Sequence, residues 1–393
     1  MKNIVSFVNT SYGLNKIQNF FLFLTLFSVI IDPSNSFLGI KNISFILFFV
    51  VSIPNLKFGH ILYIFLFFSI IFICLAINFS SENINLGYVI ATCKSFMFLF
   101  LLLFVFDNKN YFKYFFLISL ILAITICSIW LLVVIFPSLF VPFAYFFKNG
   151  ENFLFSFSKR SFIGFSYTSV YHSTSMLSTV FLSYSCYKFF FEKNKKFFLA
   201  FVIFSFSLFC SGTRANMLCG IAIPLFVYIM FLLKKKMFSL FSFVIVIILT
   251  FFTILLYKLM TDVGETSLDV KNQILESYID LFNSNPFDYL IFGDGPGAEF
   301  FTRGHNKIVT HTELSYLDLI RNYGIVFAIV IVCLYLYPLV EIFNKYNIYK
   351  FLSFALGYIA FLFISGTNPY LLNSNGFSFL VLMWYIGNAK EEI

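Results

Sequence analysis

Apolar runs alternate with short polar segments along the whole chain, and the length of these runs predicts its architecture. Most runs hold about 17 to 25 residues, enough for a helix to cross roughly 30 Å of hydrocarbon. Because backbone groups in lipid must find partners within their own segment, we interpret the runs as helices and not as barrel strands. The pattern predicts about twelve spans, at residues 17–31, 36–53, 59–78, 86–106, 111–137, 165–190, 197–211, 215–233, 237–258, 314–340, 351–367 and 376–388.

Two connections between these spans are long, at residues 138–164 and 259–312. In the second connection, apolar residues recur at positions 270, 274, 278, 281 and 282, which is the helical period. We therefore expect an amphipathic helix that lies against the outer membrane surface or caps a cavity. The predicted fold is an all-α integral membrane protein that forms one polytopic domain over residues 1–393.

Composition agrees with this interpretation, because 60% of the residues are hydrophobic, only 11% are charged and the formal net charge is +8. Fifteen of the 26 basic residues are lysines in alternate connections or at the two ends of the chain. The positive-inside rule then predicts cytoplasmic termini and places both long connections on the outer side. The positive charge is explained by topology, so the predicted surroundings are membrane lipids and not nucleic acid.

The four arginines of the chain all fall on the predicted outer side or at the outer membrane boundary: Arg160, Arg214, Arg303 and Arg321. A planar guanidinium binds phosphate through two parallel hydrogen bonds, whereas lysine serves equally well as a topology signal. The placement of the arginines therefore favours a phosphate-binding role.

Two of these arginines stand in short polar motifs. SGTRAN, with Arg214, is a predicted tight turn between two spans, and SKRSFIGFS places Lys159 beside Arg160 at the predicted start of a helix. Glycine and small residues in both motifs let a ligand approach the backbone. Alternatively, Arg214 reaches up to lipid phosphate, and Lys159 with Arg160 is an ordinary basic pair at the membrane surface.

The second long connection carries the candidate catalytic residues. His305, His311 and Glu313 precede the next span closely, and histidine can accept a proton near neutral pH while a carboxylate such as Glu313 or Asp318 orients it. The turn Gly293–Gly297 lacks the Lys-Ser/Thr ending of a nucleotide-binding loop. The spacing of histidines and carboxylates also lacks a metal-binding pair, so neither a metal nor a cofactor is expected.

The order of these motifs resembles that of the O-antigen polymerase and ligase superfamily. The similarity covers the many helices, the long outer loop, the two arginine motifs, the Gly-x-Gly-x-Gly turn after an amphipathic helix, and HTELSYLDLIRNYGIV. It implies that Arg160 and Arg214 hold a polyprenyl pyrophosphate. It also implies that His311 assists the acceptor hydroxyl. From their residue type and predicted side, Lys159, Arg303 and Arg321 are further candidates for the same pyrophosphate.

The chain departs from the family pattern at one position. A His-Asn pair is common in the last motif of the family, but here it occurs earlier, at His305-Asn306, so His305 competes with His311 as the base. The expected reaction is metal-independent transfer of an oligosaccharide from polyprenyl pyrophosphate, with a chain-length regulator protein as a possible partner of the chain. A polymerase is preferred to a ligase that transfers polymer to lipid A core, and a lipid-linked glycan flippase is the alternative of another class.

Overall fold

The computed structural model describes residues 2–78, 84–106, 108–149, 152–162, 165–237, 240, 266–284, 286–368 and 370–389. The α-helices of these residues, numbered in chain order, are α1 (Lys2–Ile31), α2 (Lys41–Ser52), α3 (Ile61–Asn78), α4 (Leu86–Phe96), α5 (Tyr111–Ile135), α6 (Phe140–Phe146), α7 (Ser178–Phe190), α8 (Lys196–Cys210), α9 (Arg214–Lys234), α10 (Thr266–Ser284), α11 (Pro286–Ile291), α12 (Ser315–Leu336), α13 (Pro338–Lys345), α14 (Ile348–Gly366) and α15 (Ser374–Asn388). Short 3-10 helices cover Ile53–Asn55, Met97–Leu103, Pro137–Leu139 and Ser175–Leu177.

Six short strands form three separate antiparallel pairs in the described part of the chain. The strands are β1 (Lys148–Asn149), β2 (Asn152–Phe153), β3 (Ser156–Phe162), β4 (Phe165–Tyr171), β5 (Phe300–Thr302) and β6 (Lys307–Val309). The longest pair is the hairpin of β3 and β4, in which Arg160 stands opposite Tyr167. All three pairs lie in or beside the two long connections that were predicted from the sequence.

Several helices are long and apolar enough to cross a membrane, as the sequence predicts. Five segments of the described residues meet that criterion: Leu86–Leu103, Tyr111–Ile135, Arg214–Lys234, Ser315–Lys345 and Ile348–Gly366. Shorter apolar helices stand at Asn15–Ile31, Lys41–Asn55, Ile61–Ala76, Pro137–Phe146 and Lys196–Cys210. The chain is therefore a mainly helical membrane protein with several spans, and the total of about twelve stays a prediction.

Most predicted spans coincide with a helix, with two exceptions. The predicted span 165–190 begins as strand β4, and only its second half is helical, as α7. The predicted span 237–258 lies outside the described residues. Its neighbour α9 ends at Lys234, where the sequence changes to three consecutive lysines.

Hydrogen bonds join connections that are distant in the chain at the ends of the helices. At one end, the Asn108 side chain donates to Asn19 Oδ1 at 2.8 Å, and Tyr385 OH donates to the Asn108 carbonyl at 3.0 Å. At the other end, Ser315 Oγ donates to the Asn368 carbonyl at 2.6 Å. We call the second end the outer end, because the lysine distribution predicts that it faces away from the cytoplasm.

One large apolar core fills the space between the helices, and a second, small core lies under the long connection at the outer end. The main core is rich in aromatic contacts, such as Phe67 with Tyr335 and Phe377 at ring-centroid distances of 6.0 and 5.9 Å. Edge-to-face pairs of this kind add about 0.5–1.5 kcal/mol each to the free energy of burial. The helices thus form a packed frame that holds the outer connections in place.

Candidate functional site

The amphipathic helix predicted in the second long connection is present as α10, and its apolar stripe is buried by protein. Ile274 and Tyr278 are fully buried and form the small outer core with Phe300 of β5. The stripe therefore does not face the membrane surface, because β5 and the start of α12 cover it. Helix α10 ends at Ser284, just before Pro286, as the sequence predicts.

The glycine turn after α11 packs against a kink in α12. Gly293 and Gly324 both have positive φ, at 63° and 72°, a conformation that favours glycine. A Cβ atom at Gly293 would lie 2.2 Å from the Arg321 carbonyl oxygen, and one at Gly324 would lie 2.3 Å from the Ile291 carbonyl carbon. The amides of Asp294 and Gly295 donate to α12 carbonyls at 2.7 and 3.1 Å. The turn therefore joins the outer connection to α12, which is a structural role and not phosphate binding.

A buried ion pair on the first turns of α12 holds the backbone on both sides of His311. Arg321 is fully buried, and its Nη2 donates to the Thr310 carbonyl at 2.6 Å and approaches Asp318 Oδ1 at 3.4 Å. The Asp318 carboxylate accepts from the Thr312 amide at 2.7 Å. Arg321 thus holds the backbone of Thr310 and Asp318 holds that of Thr312, so the position of His311 between them is defined. We call Asp318 and Arg321 the α12 ion pair.

Other protein groups also contact both side chains of the α12 ion pair. Arg321 Nη1 donates to the Ala298 carbonyl at 2.7 Å, and the guanidinium lies 4.3 Å from the Phe300 ring centroid. Tyr278 of α10 donates to Asp318 Oδ1 at 2.6 Å. Burial, and then the Asp318 carboxylate, raises the pKa of Tyr278, so its hydroxyl keeps the proton that it donates. Arg321 consequently organises the connection and does not present a free pair of donors to a ligand.

His311 stands at the surface, with its ring stacked on Tyr88 of α4. The ring centroids are 5.4 Å apart and the rings are inclined by 20°. The Nδ1 atom lies 3.1 Å from Thr310 Oγ1, whereas the carboxylates of Glu313 and Asp318 contact other groups of the described residues. Partial burial lowers the pKa of His311; Asp318 opposes this effect, while Arg321 and Lys307 add to it. The ring is therefore neutral at neutral pH and can accept a proton.

The three predicted catalytic residues line one open groove of about 390 Å³ at the outer end. The groove is polar, and its charged or titratable lining residues are Glu299, His305, Lys307, His311 and Glu313. Glu313 pairs with Lys271 of α10 at 3.5 Å, while His305 is exposed in the turn between β5 and β6. This arrangement offers cations, anions and an imidazole to a polar ligand.

Arg303 lies outside this groove and pairs with α10. Its guanidinium contacts the carboxylate of Asp280 at 2.5 Å and that of Glu276 at 3.8 Å. Its backbone amide donates to Ser277 Oγ at 3.0 Å. The charged groups are all exposed, so the ion pairs contribute at most about 1 kcal/mol. Arg303 therefore helps to fasten the β5–β6 turn to α10.

The predicted helix start at SKRSFIGFS is wrong, since this motif forms the β3–β4 hairpin. Aromatic and polar residues alternate at the start of β4, from Phe165 to Thr168, and this period of two is typical of a strand. Lys159 is exposed on β3, and Arg160 follows it in the strand opposite Tyr167. The side chain of Arg160 lies outside the described residues.

The hairpin and the Arg214 motif contact each other. Tyr167 OH donates to the Gly212 carbonyl at 2.8 Å, and a Cβ atom at Gly212 would lie only 2.2 Å from Ser169 Cβ. Gly212 also has a φ of 71°, so glycine is required both for its conformation and for this approach. Arg214 begins α9, where Thr213 accepts from the Asn216 amide as a helix cap. The hairpin that carries Lys159 and Arg160 is thus in contact with the turn that precedes Arg214.

An apolar cavity of about 560 Å³ opens beside this hairpin. Trp130, Pro137 and Phe140 line it together with Lys159 and Tyr167. Trp130 also donates through its indole nitrogen to the Thr168 carbonyl at 2.8 Å, which fixes the hairpin to α5. The cavity combines an apolar wall with one cation, the chemistry that suits a lipid chain ending in phosphate.

Two tyrosines connect the hairpin with the segment between α14 and α15. The hydroxyls of Tyr171, at the end of β4, and Tyr370, between α14 and α15, are 2.5 Å apart. Burial raises the pKa of Tyr370, the bond to Tyr171 opposes this, and the Glu313 carboxylate adds to the increase. Glu313 is therefore within electrostatic range of Tyr370. The hairpin is thus joined to the connection between α14 and α15.

The other two histidines are structural. His172 is buried, its Nε2 donates to the Ile31 carbonyl at 3.0 Å, and its Nδ1 lies 2.8 Å from Thr174 Oγ1. Both ring nitrogens of His172 are thus occupied by protein groups. His60 packs against Phe106 and Trp384 away from the outer end, with ring centroids 4.5 and 4.6 Å apart.

Sequence reasoning missed Tyr88, Tyr278 and the role of Asp318 in holding the backbone. Tyr88 lies more than 200 residues from His311, and Tyr278 belongs to the apolar stripe of α10, so neither has a local signal. The spacing of Asp318 and Arg321 by three residues on a predicted helix does indicate a pair on one face. Comparison of the chain with family models, curated protein sequences and solved structures gives no match.

Proposed function

We propose that the protein is an O-antigen polymerase, a glycosyltransferase that joins surface-polysaccharide repeat units at the outer face of the inner membrane. The donor is an oligosaccharide on polyprenyl pyrophosphate, and the acceptor is a second lipid-linked oligosaccharide. The observation that carries the proposal is the position of His311 in a polar outer groove, on a backbone that the α12 ion pair holds. The resemblance of the motif order to this superfamily supplies the reaction.

His311 is the proposed general base. An acceptor hydroxyl attacks the anomeric carbon of the donor, a new glycosidic bond forms, and the bond from that carbon to the pyrophosphate oxygen breaks. The hydroxyl proton passes to His311, and the electron pair of the broken bond leaves with polyprenyl pyrophosphate. The activated donor supplies the free energy, so no nucleotide is consumed outside the cytoplasm.

Lys159, Arg160 and Arg214 are the proposed cations for the departing pyrophosphate. Negative charge grows on the leaving group in the transition state, and fixed cations that meet it there lower the barrier. The support is the contact of the β3–β4 hairpin with the turn at Gly212, together with the apolar cavity beside Lys159. Arg303 and Arg321 act in this proposal as positioning residues, because protein groups occupy their guanidiniums.

Deletion of the gene, with electrophoresis of the surface polysaccharide, tests the reaction class. A polymerase mutant retains single repeat units on the lipid A core, and this is the expected result. Bare core with polymer left on its lipid carrier would instead indicate a ligase. Accumulation of lipid-linked units on the cytoplasmic face would indicate a flippase and would overturn the proposal.

A further inference from the structure

A second polar cavity of about 440 Å³ lies at the outer end, between α2, α4 and the start of α15. It shares no lining residue with the His311 groove or with the cavity beside the hairpin. Its polar lining residues include two lysines and four asparagines: Lys41, Lys94, Asn35, Asn42, Asn373 and Asn375. None of these residues has a role in the reaction proposed above.

Lys94 is the least expected residue of this cavity. It lies on α4, within the apolar segment Leu86–Leu103 that is able to cross a membrane. In the described part of the chain, Lys94 has no hydrogen bond and no ion pair. A cation in an apolar span costs several kcal/mol unless an anion or water compensates it, so such residues usually mark a ligand path.

Lys41 adds a second cation on the opposite wall. Its Nζ donates to the Pro33 carbonyl and lies 3.4 Å from Ser374 Oγ at the start of α15. The nearby carboxylate of Asp32 accepts from the backbone amides of residues 36, 37 and 38 at 3.2, 3.0 and 2.6 Å, and it does not line the cavity. The cavity is therefore cationic, with one lysine anchored and one available.

The start of α15 contributes a partial positive charge and an unpartnered acceptor. Asn373 caps this helix by accepting from the amides of Asn375 and Gly376 at 2.9 and 3.0 Å. The Asn375 side chain lines the cavity and is 1% exposed, yet its Oδ1 has no hydrogen-bond partner among the described residues. A buried acceptor without a partner costs about 1–3 kcal/mol. A ligand that completes this site must offer an anion to the lysines and a donor to Asn375.

We propose that this cavity binds the phosphate and first sugar of a lipid-linked glycan, with phosphoryl oxygens on Lys41 and Lys94 and a sugar hydroxyl on Asn375. This identification of the ligand rests on the proposed function, in which donor and acceptor both carry a lipid phosphate and two phosphate sites are needed. The Lys159, Arg160 and Arg214 region is the first site, and this cavity is the second.

Helix α4 connects the second site with the proposed base. Tyr88, which stacks on His311, stands six residues before Lys94, a distance of about 9 Å along a helix axis. Gly87 and Ala91 of α4 line the cavity near these two positions. A glycan that starts at Lys94 and follows α4 would therefore reach the groove of His311 after one or two sugars.

Lipid binding to the purified protein in phosphatidylcholine nanodiscs tests the proposal. The probes are undecaprenyl pyrophosphate, undecaprenyl pyrophosphate that carries one N-acetylated hexose, phosphatidylglycerol and inorganic pyrophosphate. We expect two glycolipid molecules bound per wild-type chain and one per chain in Lys94→Gln, whose remaining site keeps its affinity. Lys195→Gln, which removes an exposed lysine away from the outer end, is the matched control and should still bind two.

Asn375→Ala separates a glycan site from a general phosphate site. It should weaken binding of the sugar-bearing lipid at the second site by about tenfold, the effect of one lost hydrogen bond, and leave undecaprenyl pyrophosphate unchanged. Unchanged stoichiometry in Lys94→Gln would overturn the proposal. If Lys94→Gln also loses binding of phosphatidylglycerol or of inorganic pyrophosphate to the same extent, the cavity binds any anion, and this result would overturn the proposal as well.

Arg214→Ala distinguishes failure of this inference from failure of the proposed function. If Lys94→Gln loses one glycolipid while Arg214→Ala still binds two, the second site stands and the assignment of Arg214 fails. If only Arg214→Ala loses a glycolipid, the assignment of Arg214 stands and the second site fails. The thermal unfolding temperature of each variant verifies that binding is compared among folded proteins.

Discussion

His311 and His305 share one groove but differ in how the structure holds them. The backbone beside His311 is fixed by Asp318 and Arg321, whereas His305 is exposed in the turn between β5 and β6. General base catalysis needs a fixed distance to the reacting hydroxyl, so the histidine with a fixed backbone is the better base. The sequence alone left both histidines open, because spacing does not reveal which one the α12 ion pair supports.

Substitution of each histidine by glutamine tests this difference. We expect His311→Gln to lower polymerisation of lipid-linked repeat units by about 10²- to 10⁴-fold, the usual contribution of a general base. His305→Gln is the matched control from the same groove, and its rate should fall by less than about tenfold, as for a contact that only helps to bind glycan. The initial rate in proteoliposomes measures both. A greater loss in His305→Gln would transfer the role of base to that residue.

The charge of Lys307 predicts a shift in the pH dependence. Lys307 lowers the pKa of His311, so its removal raises that pKa and protonates the base at higher pH. Because a general base is active only when neutral, activity is lost as pH falls through its pKa. In Lys307→Gln, the acid limb of kcat/KM should therefore move to higher pH, while the maximal rate at alkaline pH stays close to wild type. An unmoved or oppositely moved acid limb would contradict His311 as the titrating group.

Arg214 is the residue on which the proposed leaving-group site depends most. We expect Arg214→Ala to reduce polymerisation by about 10²- to 10³-fold without lowering the amount of protein in the membrane, because a cation that meets developing charge acts mainly on the transition state. Lys235→Ala is the control, since it removes a cation next to the far end of the same helix, α9. Full-length polymer in Arg214→Ala would remove this arginine from the mechanism.

At the scale of elements, the apolar helices and the amphipathic helix α10 were predictable, and the β3–β4 hairpin was not. Long apolar runs determine helices because lipid offers no other partner for the backbone, and α5, α9 and α12 follow the predicted limits within a few residues. The β3–β4 hairpin was missed, although the alternation of aromatic and polar residues from Phe165 to Thr168 is typical of a strand. Expecting the hairpin to be part of a span concealed that signal.

The contact between the glycine turn and the kinked helix α12 should be sensitive to one added methyl group. Gly293→Ala would place Cβ 2.2 Å from the Arg321 carbonyl oxygen at a φ of 63°. We expect the purified protein to lose at least about 1–3 kcal/mol of stability, which a lower thermal unfolding temperature measures. Activity should decline with it, because Arg321 also holds the loop of His311.

Two other glycines separate the causes of this effect. Gly39 has a φ of 68°, but no atom of the described residues lies within 4 Å of where a Cβ atom would stand, so Gly39→Ala reports backbone strain alone. Gly59 has equally open surroundings in the described structure and no positive φ, so Gly59→Ala should be neutral. If Gly293→Ala is no less stable than Gly39→Ala, the contact with α12 does not contribute as proposed.

At the scale of the whole molecule, contacts between distant connections bring together residues that the sequence could only assign to the same side of the membrane. Asn85 before α4 donates to Glu299 at 3.1 Å, Ser315 contacts Asn368, and Tyr171 contacts Tyr370. Each pair joins segments that lie far apart in the chain. Lysine counts predict sidedness because insertion responds to charge, but they contain no information on which connections touch. The groove, for example, includes both Asn85 and Glu299, which only the folded chain brings together.

The proposed function requires that the outer end faces away from the cytoplasm, and labelling of single cysteines tests this orientation. In a variant whose seven native cysteines are replaced, Lys307→Cys in the groove should react with a membrane-impermeant maleimide on intact spheroplasts. Lys195→Cys, before α8 at the opposite end, should react only after the membrane is opened. In the proposed reaction, lipid-linked glycans are joined on the outer side of the membrane. The reverse labelling pattern would place His311 on the cytoplasmic side, away from these substrates. Both the predicted orientation and the catalytic proposal would then fail.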